Sequence, residues 1–306
     1  MIGAVDIGGT KIAVGLVAED GRILSQAVFL TEPERGFADG MQRIRATLAQ
    51  QVEQVQARLD GIGVGSTGPI NPITGEIEKV DTLPGWQGNN LVQGLAVFGV
   101  PVALENDADA AALGEFAWGA GKGCSRFIYV TIGTGIGSGV ILDGKLYRGL
   151  GGAHPEVGHH IVDPGGPACY CGARGCWESL ASGVALADWF KRNRPDGSHH
   201  PPELDARAIC ELARQGDEFA QRAVGWAAFY LGLGLANLVT LFVPEVIALG
   251  GGMMQSWALF EGQARQVLRE NARLVPVEQV QIVLARLRST TGLAGAAQAW
   301  IQRYAS

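Results

Sequence analysis

Several kinds of protein are excluded by what this chain lacks. Its 306 residues contain no run of basic side chains, and the net charge is -6. That is not the cationic footprint a nucleic-acid partner requires. The opening Met-Ile-Gly-Ala-Val-Asp has no positive charge, and Asp6 interrupts its apolar run, unlike a signal peptide. A cytoplasmic, reducing setting is expected, where clustered cysteines are metal ligands rather than disulfides. Residues 223–244 lack charge for long enough to span a bilayer. That stretch carries Gly225, Gly232, Gly234, Asn237 and Thr240 and ends at Pro244, which suits a core helix with close neighbours, so no membrane partner is expected. Neither a Walker loop nor a Rossmann fingerprint is present.

What is present is apolar side chain in quantity, 47% of residues, on a length that allows two domains or one large one. The pattern predicts an opening antiparallel meander, with strands over 2–7, 12–17 and 23–30. Its first turn, Gly8-Gly9-Thr10-Lys11, leaves backbone N–H groups open to a phosphate. Thr10 adds a hydroxyl and Lys11 a charge, and Asp6 at the strand end is placed to hold a hydrated Mg²⁺. A plain hairpin would explain this turn alone. The pattern recurs, however. A strand over 126–132 runs through Thr131 into Gly133-Thr134-Gly135-Ile136-Gly137, and another strand follows. Two such hairpins, one from each domain, can grip a polyphosphate.

Between them lies an α/β stretch, with a helix over 37–59, a strand over 60–66 and a second strand over 100–104. That second strand delivers Glu105-Asn106-Asp107 to the start of a helix, where ligands collect in open α/β sheets. An N-cap accounts for one of these polar residues. A carboxylate there can also take a proton from a hydroxyl attacking a phosphate. Later helices are expected over 185–191, 206–215 and 218–242. Residues 194–204 read as a mobile surface loop carrying solvated His199 and His200. A strand over 245–249 ends in Gly250-Gly251-Gly252, a run that lets backbone lie against a flat ring such as adenine. A last strand covers 281–284 and a closing helix 291–304.

The densest chemistry lies in residues 154–179. Cys169, Cys171 and Cys176 fall within eight residues, with His159 and His160 just upstream. Three thiolates and one imidazole, from either histidine, make a closed tetrahedral zinc site. Thiolates suit zinc, so Glu156 and Glu178 remain free for another ligand, such as a polyhydroxylated one.

Asp6-Ile-Gly-Gly-Thr-Lys11, Glu105-Asn-Asp107, Thr131-Ile-Gly-Thr-Gly-Ile-Gly137, Glu156-Val-Gly-His159, Cys169-Tyr-Cys-Gly-Ala-Arg-Gly-Cys176-Trp-Glu178 and Leu249-Gly-Gly-Gly252 follow in order. Together they resemble the ROK family of bacterial sugar kinases and repressors. The resemblance implies a two-domain α/β fold, the actin/hexokinase-like (ribonuclease H-like) ATPase fold, with a cleft between domains and a small zinc knuckle. It implies a small domain of 1–118 plus about 295–306, and a large domain of 119–294 with the knuckle and dimerisation helices. Asp107 is then the base for the sugar 6-hydroxyl. Asn106, Glu156, His159 and Glu178 hydrogen-bond the other hydroxyls, with Gly68 close by. His159 becomes the zinc ligand beside the three cysteines, its second ring nitrogen donating to the sugar. ATP and Mg²⁺ are held by Asp6, Gly8, Gly9, Thr10, Lys11, Thr131, Gly133, Thr134, Gly135, Gly251 and Gly252, and domain closure excludes water. Glucose is the favoured substrate among glucose, mannose, fructose, N-acetylglucosamine and N-acetylmannosamine, and the molecule is a homodimer or homotetramer. The family's repressors carry a DNA-binding segment before this body, and a first strand starting at Ile2 leaves no room for one.

Overall fold

The computed structural model describes every residue except Ala57, Asp196, His199, Pro202 and Ser306. The opening meander forms as expected: β1 (Ile2–Ile7), β2 (Lys11–Val17) and β3 (Ile23–Leu30) are successive antiparallel neighbours. Helix α1 (Gly36–Val55) leads to β4 (Gly61–Ser66), and a small hairpin, β5 (Ile70–Asn71) with β6 (Glu76–Ile77), precedes the short α2 (Leu91–Leu95). Next come β7 (Val102–Asn106) and α3 (Asp107–Trp118). The strand expected to stop at 104 runs on through Glu105 and Asn106, pairing in parallel with β4 to its end at Ser66. The first sheet has the order β3-β2-β1-β4-β7.

Strands β8 (Phe127–Ile132), β9 (Ile136–Leu142) and β10 (Lys145–Leu146) follow. Helices α4 (Glu178–Ala181), α5 (Gly183–Asn193), α6 (Ala206–Arg214) and α7 (Glu218–Phe242) lead to β11 (Val246–Gly250), α8 (Trp257–Asn271), β12 (Gln281–Leu284) and α9 (Thr291–Tyr304). The second sheet is ordered β10-β9-β8-β11-β12. The chain divides into two compact units. Unit 1 is Met1–Cys124, Gly139–His154 and Ala285–Ser306, and unit 2 is Ser125–Ser138 and Pro155–Leu284. Unit 1 thus takes in Gly139–His154 as well as the terminal segments. A Cβ on Gly139 would stand 2.4 Å from that of Ala112 on α3, so this backbone lies directly on the helix.

The first sheet is buried on both faces. Met41, Ile44 and Leu48 of α1 pack with Val5, Val14, Ile62 and Val64 on one side, and Leu293, Ala296, Ala297 and Trp300 of α9 cover Ile2, Ala4 and Ala103 on the other. The pleat sorts Gly61-Ile-Gly-Val-Gly65 accordingly, with Ile62 and Val64 toward α1 and glycines toward the opposite face. A Cβ on Gly63 would come 1.8 Å from the Ala296 carbonyl oxygen, so only glycine lets α9 lie this close.

In unit 2, β8, β11 and β12 run parallel. Helix α7 is long and apolar enough to cross a membrane by length and composition, yet more than half of its apolar window is buried. It packs against α8, α6, α5 and α4, as a core helix does. One expectation fails here. His200 is buried rather than solvated, its ring between Phe190 and Phe219. Its Nε2 meets Asp217 Oδ2 at 2.7 Å and its Nδ1 meets Ser198 Oγ at 2.7 Å. Asp217 also caps α7, accepting from the Ala220 N–H at 2.8 Å. Contacts from α5 and α7, invisible in local composition, hold this loop. His199 lies outside the described residues.

Candidate functional site

In unit 1, candidate site residues gather where β1, β4 and β7 end. The turn after β1 closes by a Gly8 N–H donating to the Lys11 carbonyl at 2.9 Å, and the Gly8 carbonyl accepts from Thr31 Oγ1 at 2.6 Å. Thr10 and Lys11 are exposed, and a Cβ on Gly9 would crowd Thr82 at 2.8 Å. Asp6 lies at the foot of this turn, its carboxyl pushed up to about 7 by burial and, second, by the charge of Asp107. Asp107 is raised too, by burial first, while the Ala108 N–H at 2.8 Å pulls the other way. Two neighbouring carboxylates with raised pKa fit a cation site beside a proton acceptor. A Cβ on Gly292, in the first turn of α9, would lie 2.1 Å from Asp6 Oδ2, so that glycine makes room for the carboxylate.

Asn106 does cap α3: its Oδ1 accepts from the N–H groups of Ala108 at 2.9 Å and Asp109 at 3.2 Å. The cap uses the oxygen. The Nδ2 lies 3.1 Å from where a Cβ on Gly68 would be, which places Gly68 beside Asn106. Asp6, Gly68, Asn106 and Asp107 therefore belong to one cluster of strand ends. Sequence reasoning missed a group close to Asp107. Buried Asp109 meets His154 Nδ1 at 2.9 Å and Arg148 at 3.6 Å, and Arg148 also pairs with Glu105. Burial pushes Glu105 up to about 7 against the pull of Arg148. An acid two residues into an alanine-rich helix was the available signal.

Unit 2 holds the second glycine turn. The Gly133 N–H donates to the Gly135 carbonyl at 2.9 Å, and the Gly133 carbonyl accepts from the Gly183 N–H at 2.8 Å. Thr131 pairs in register with Gly250, and a Cβ on Gly133 would sit 3.9 Å from the Gly252 nitrogen. The turn and the glycine run are thus neighbours. Within the run the glycines differ. Gly251 has φ +88° and is seated on Ile132, a close-packed turn, whereas a Cβ on Gly252 would meet nothing within 4 Å. Gly252 is the position open to a ligand.

In the knuckle, one ligand atom from each of His159, Cys169, Cys171 and Cys176 lies within 4.8 Å of the others. The Cys171 and Cys176 sulfurs are 3.5 Å apart, and His159 Nδ1 is 3.5 Å from Cys169 Sγ. Zn–S and Zn–N bonds of about 2.3 and 2.0 Å put tetrahedral edges near ~3.5–3.8 Å, so the donor set fits Zn²⁺. Burial, then the neighbouring thiols, pushes the Cys176 thiol up to about 12, and a bound cation is what would let all three sulfurs ionise. His160 is turned away, its Nδ1 on the Val157 carbonyl at 2.5 Å and its ring against Trp177.

Glu178 opens α4, and its Oε2 accepts from the Ile136 N–H at 2.7 Å. A Cβ on Gly135 would come 2.3 Å from that oxygen, so the glycine turn and the acid are fitted to each other. The second nitrogen of His159 is already engaged: Nε2 lies 3.0 Å from the Tyr170 hydroxyl. Burial, then the neighbouring Glu178 and Glu156 carboxylates, pushes the Tyr170 phenol well above its ordinary value. Tyr170 was overlooked because Cys-Tyr-Cys reads as ligand, spacer, ligand.

Comparison with known proteins agrees with this fold. The ROK family model matches residues 2–303. A glucokinase of Thermotoga maritima is 36% identical over 96% of this chain and 95% of its own. The crystal structure of a ROK hexokinase from Thermus thermophilus superposes with TM-score 0.84 at 36% identity, covering 100% of this chain and 99% of that one. A ROK family glucokinase from Streptomyces griseus, solved in complex with glucose and AMPPNP, gives TM-score 0.80 at 35% identity over 97% of each chain. The fold is thus the α/β hexokinase-like one. This chain belongs to the ROK family.

Proposed function

We propose that this chain is an ATP-dependent hexose kinase that phosphorylates the 6-hydroxyl of a sugar, glucose first among the candidates, with Asp107 as general base. The observation that carries the reading is Asp107 at the β7–α3 junction, its carboxyl desolvated and raised, with Asp6 beside it. Asp107 accepts the hydroxyl proton as the sugar oxygen bonds to the γ-phosphorus, and the bond from that phosphorus to the bridging oxygen of ADP breaks. Asn106, Glu156, His159 and Glu178 orient the other hydroxyls, with Gly68 keeping space open. The turns of Gly8, Gly9, Thr10 and Lys11 and of Thr131, Gly133, Thr134 and Gly135 offer phosphate oxygens the backbone N–H groups that do not close the turns, and Gly252, next to the packed Gly251, takes the adenine.

Asp6 would hold Mg²⁺ through water, and the ion supplies offset for the charge that develops on the phosphates. His159, Cys169, Cys171 and Cys176 would hold Zn²⁺ in a closed structural role. A cytoplasmic homodimer or homotetramer completes the reading. Kinases for N-acetylmannosamine, N-acetylglucosamine, mannose or fructose share the same machinery, since sugar choice depends on a few pocket residues. The glucokinases matched over nearly their full length support a kinase over a sugar-sensing repressor. A coupled assay of ADP release with Mg-ATP across glucose, mannose, fructose, N-acetylglucosamine and N-acetylmannosamine tests it. Turnover on one sugar, reduced about 10²–10⁴-fold in Asp107→Asn with sugar binding kept, is the expected result. Near-parental kcat in Asp107→Asn removes the base assignment. Absence of turnover on every sugar removes the kinase.

A further inference from the structure

Tyr170 sits between two knuckle cysteines, so its backbone is fixed at both ends, yet its side chain is 77% exposed. An exposed tyrosine normally leaves its hydroxyl in water. This one is anchored: the hydroxyl stands 3.0 Å from His159 Nε2, the two rings meet edge to face with centroids 5.1 Å apart, and the Glu178 carboxylate is a neighbour. The directions of these bonds follow from chemistry. His159 Nδ1 faces Cys169 Sγ and the metal position, so the ring N–H is on Nε2 and donates to the phenol oxygen. The phenol O–H is then left as a donor toward the neighbouring Glu178 carboxylate, whose Oε2 also accepts from the Ile136 N–H. One donated and one accepted hydrogen bond is the complement of a sugar hydroxyl as well.

We propose that Tyr170 is a gate that sets sugar selectivity: its hydroxyl fills the place between His159 and Glu178 that a sugar hydroxyl takes on binding, and the sugar enters by displacing it. The inference rests on the kinase reading, which gives His159 and Glu178 to the sugar. The exposed ring can swing toward solvent without disturbing packing, because its anchoring is at the hydroxyl. Each sugar must therefore outcompete an internal hydroxyl. A sugar that presents a hydroxyl to both partners replaces what is lost. One that lacks it leaves Tyr170 in place and is rejected.

Tyr170→Phe keeps the ring and removes the competitor. Calorimetric titration with the sugar that ranks first in the ADP-release assay should give a Kd about three- to tenfold lower than the parent, the range a net hydrogen bond supports. Tyr170→Ala should act in the same direction. Both variants should hold the parent's zinc content, measured by metal analysis, which separates a gate from damage to the knuckle, and kcat should change little. A parental or weaker Kd in both variants, with zinc retained, overturns the gate while leaving the kinase standing. A parent that turns over no sugar and binds none overturns both.

Discussion

Gly234 lies in the middle of α7, where replacement by alanine would ordinarily help. Alanine is better than glycine in a helix by about 1 kcal/mol. Here a Cβ would come 1.9 Å from Trp177 Cε2 and 2.1 Å from its Nε1. Carbon contacts settle near ~3.5–4 Å, so the indole must retreat by about 1.5–2 Å. Trp177 is fully buried, and its Nε1 donates to the Tyr230 carbonyl at 3.0 Å. Overpacking costs about 1–3 kcal/mol, and stranding the indole N–H adds about 1–3 more. Subtracting the helix gain leaves Gly234→Ala destabilised by about 1–5 kcal/mol. The effect also reaches function, because Trp177 stands between Cys176 and Glu178 in the chain, and moving it drags the proposed metal ligand and the proposed sugar-site acid. Gly262→Ala in α8 is the control, since a Cβ there meets nothing within 4 Å. Urea unfolding, zinc content and sugar Kd on both variants form the assay. The expected pattern is a less stable, zinc-poor, weakly binding Gly234→Ala beside a Gly262→Ala that gains up to about 1 kcal/mol. A Gly234→Ala as stable as the parent with its full zinc would refute the reasoning.

Other consequences are open to measurement. Asp6 binds its proton more tightly folded, at about 7, than unfolded, at 3.8, so it costs the ligand-free fold stability as pH rises from about 4 to 7 and the full amount above. Asp6→Asn should gain on the parent by up to about 4 kcal/mol at pH 8 and by little near pH 4. An equal difference at both pH values in urea titrations would contradict this. Buried Glu115 accepts from the N–H groups of Ala120 at 2.8 Å, Arg286 at 3.1 Å and Leu287 at 2.8 Å. Glu115→Ala should cost about 3–5 kcal/mol, with Glu115→Gln milder, and a loss below about 1 kcal/mol in denaturant melts would show those donors satisfied elsewhere. Cys176→Ser should lose zinc and thermal stability while Cys210→Ser keeps the metal, and metal analysis with melting curves decides between them.

Much of the fold could be read locally. The glycine hairpins, the α7 and α9 bounds and the Asn106 cap follow from turn residues, periodicity and capping chemistry, which act over a few positions. The knuckle cysteines were equally plain, because their spacing is short. Other features depend on partners distant in the chain. His200 reads as a loop residue until Phe190 and Phe219 enclose it. The need for glycine at 63 shows only with Ala296 beside it, and Trp177 is the neighbour that Gly234 accommodates. Asp109 gains meaning only with His154, and Tyr170 only with His159 and Glu178.

The residue order by itself determined which chemical groups exist and on which elements they ride, because hydrogen bonding and side-chain period operate within one turn or strand. Tertiary structure decided which groups meet, which glycines cannot be replaced and which histidine faces the sulfurs. Burial and close approach are properties of pairs that only the packed chain brings together.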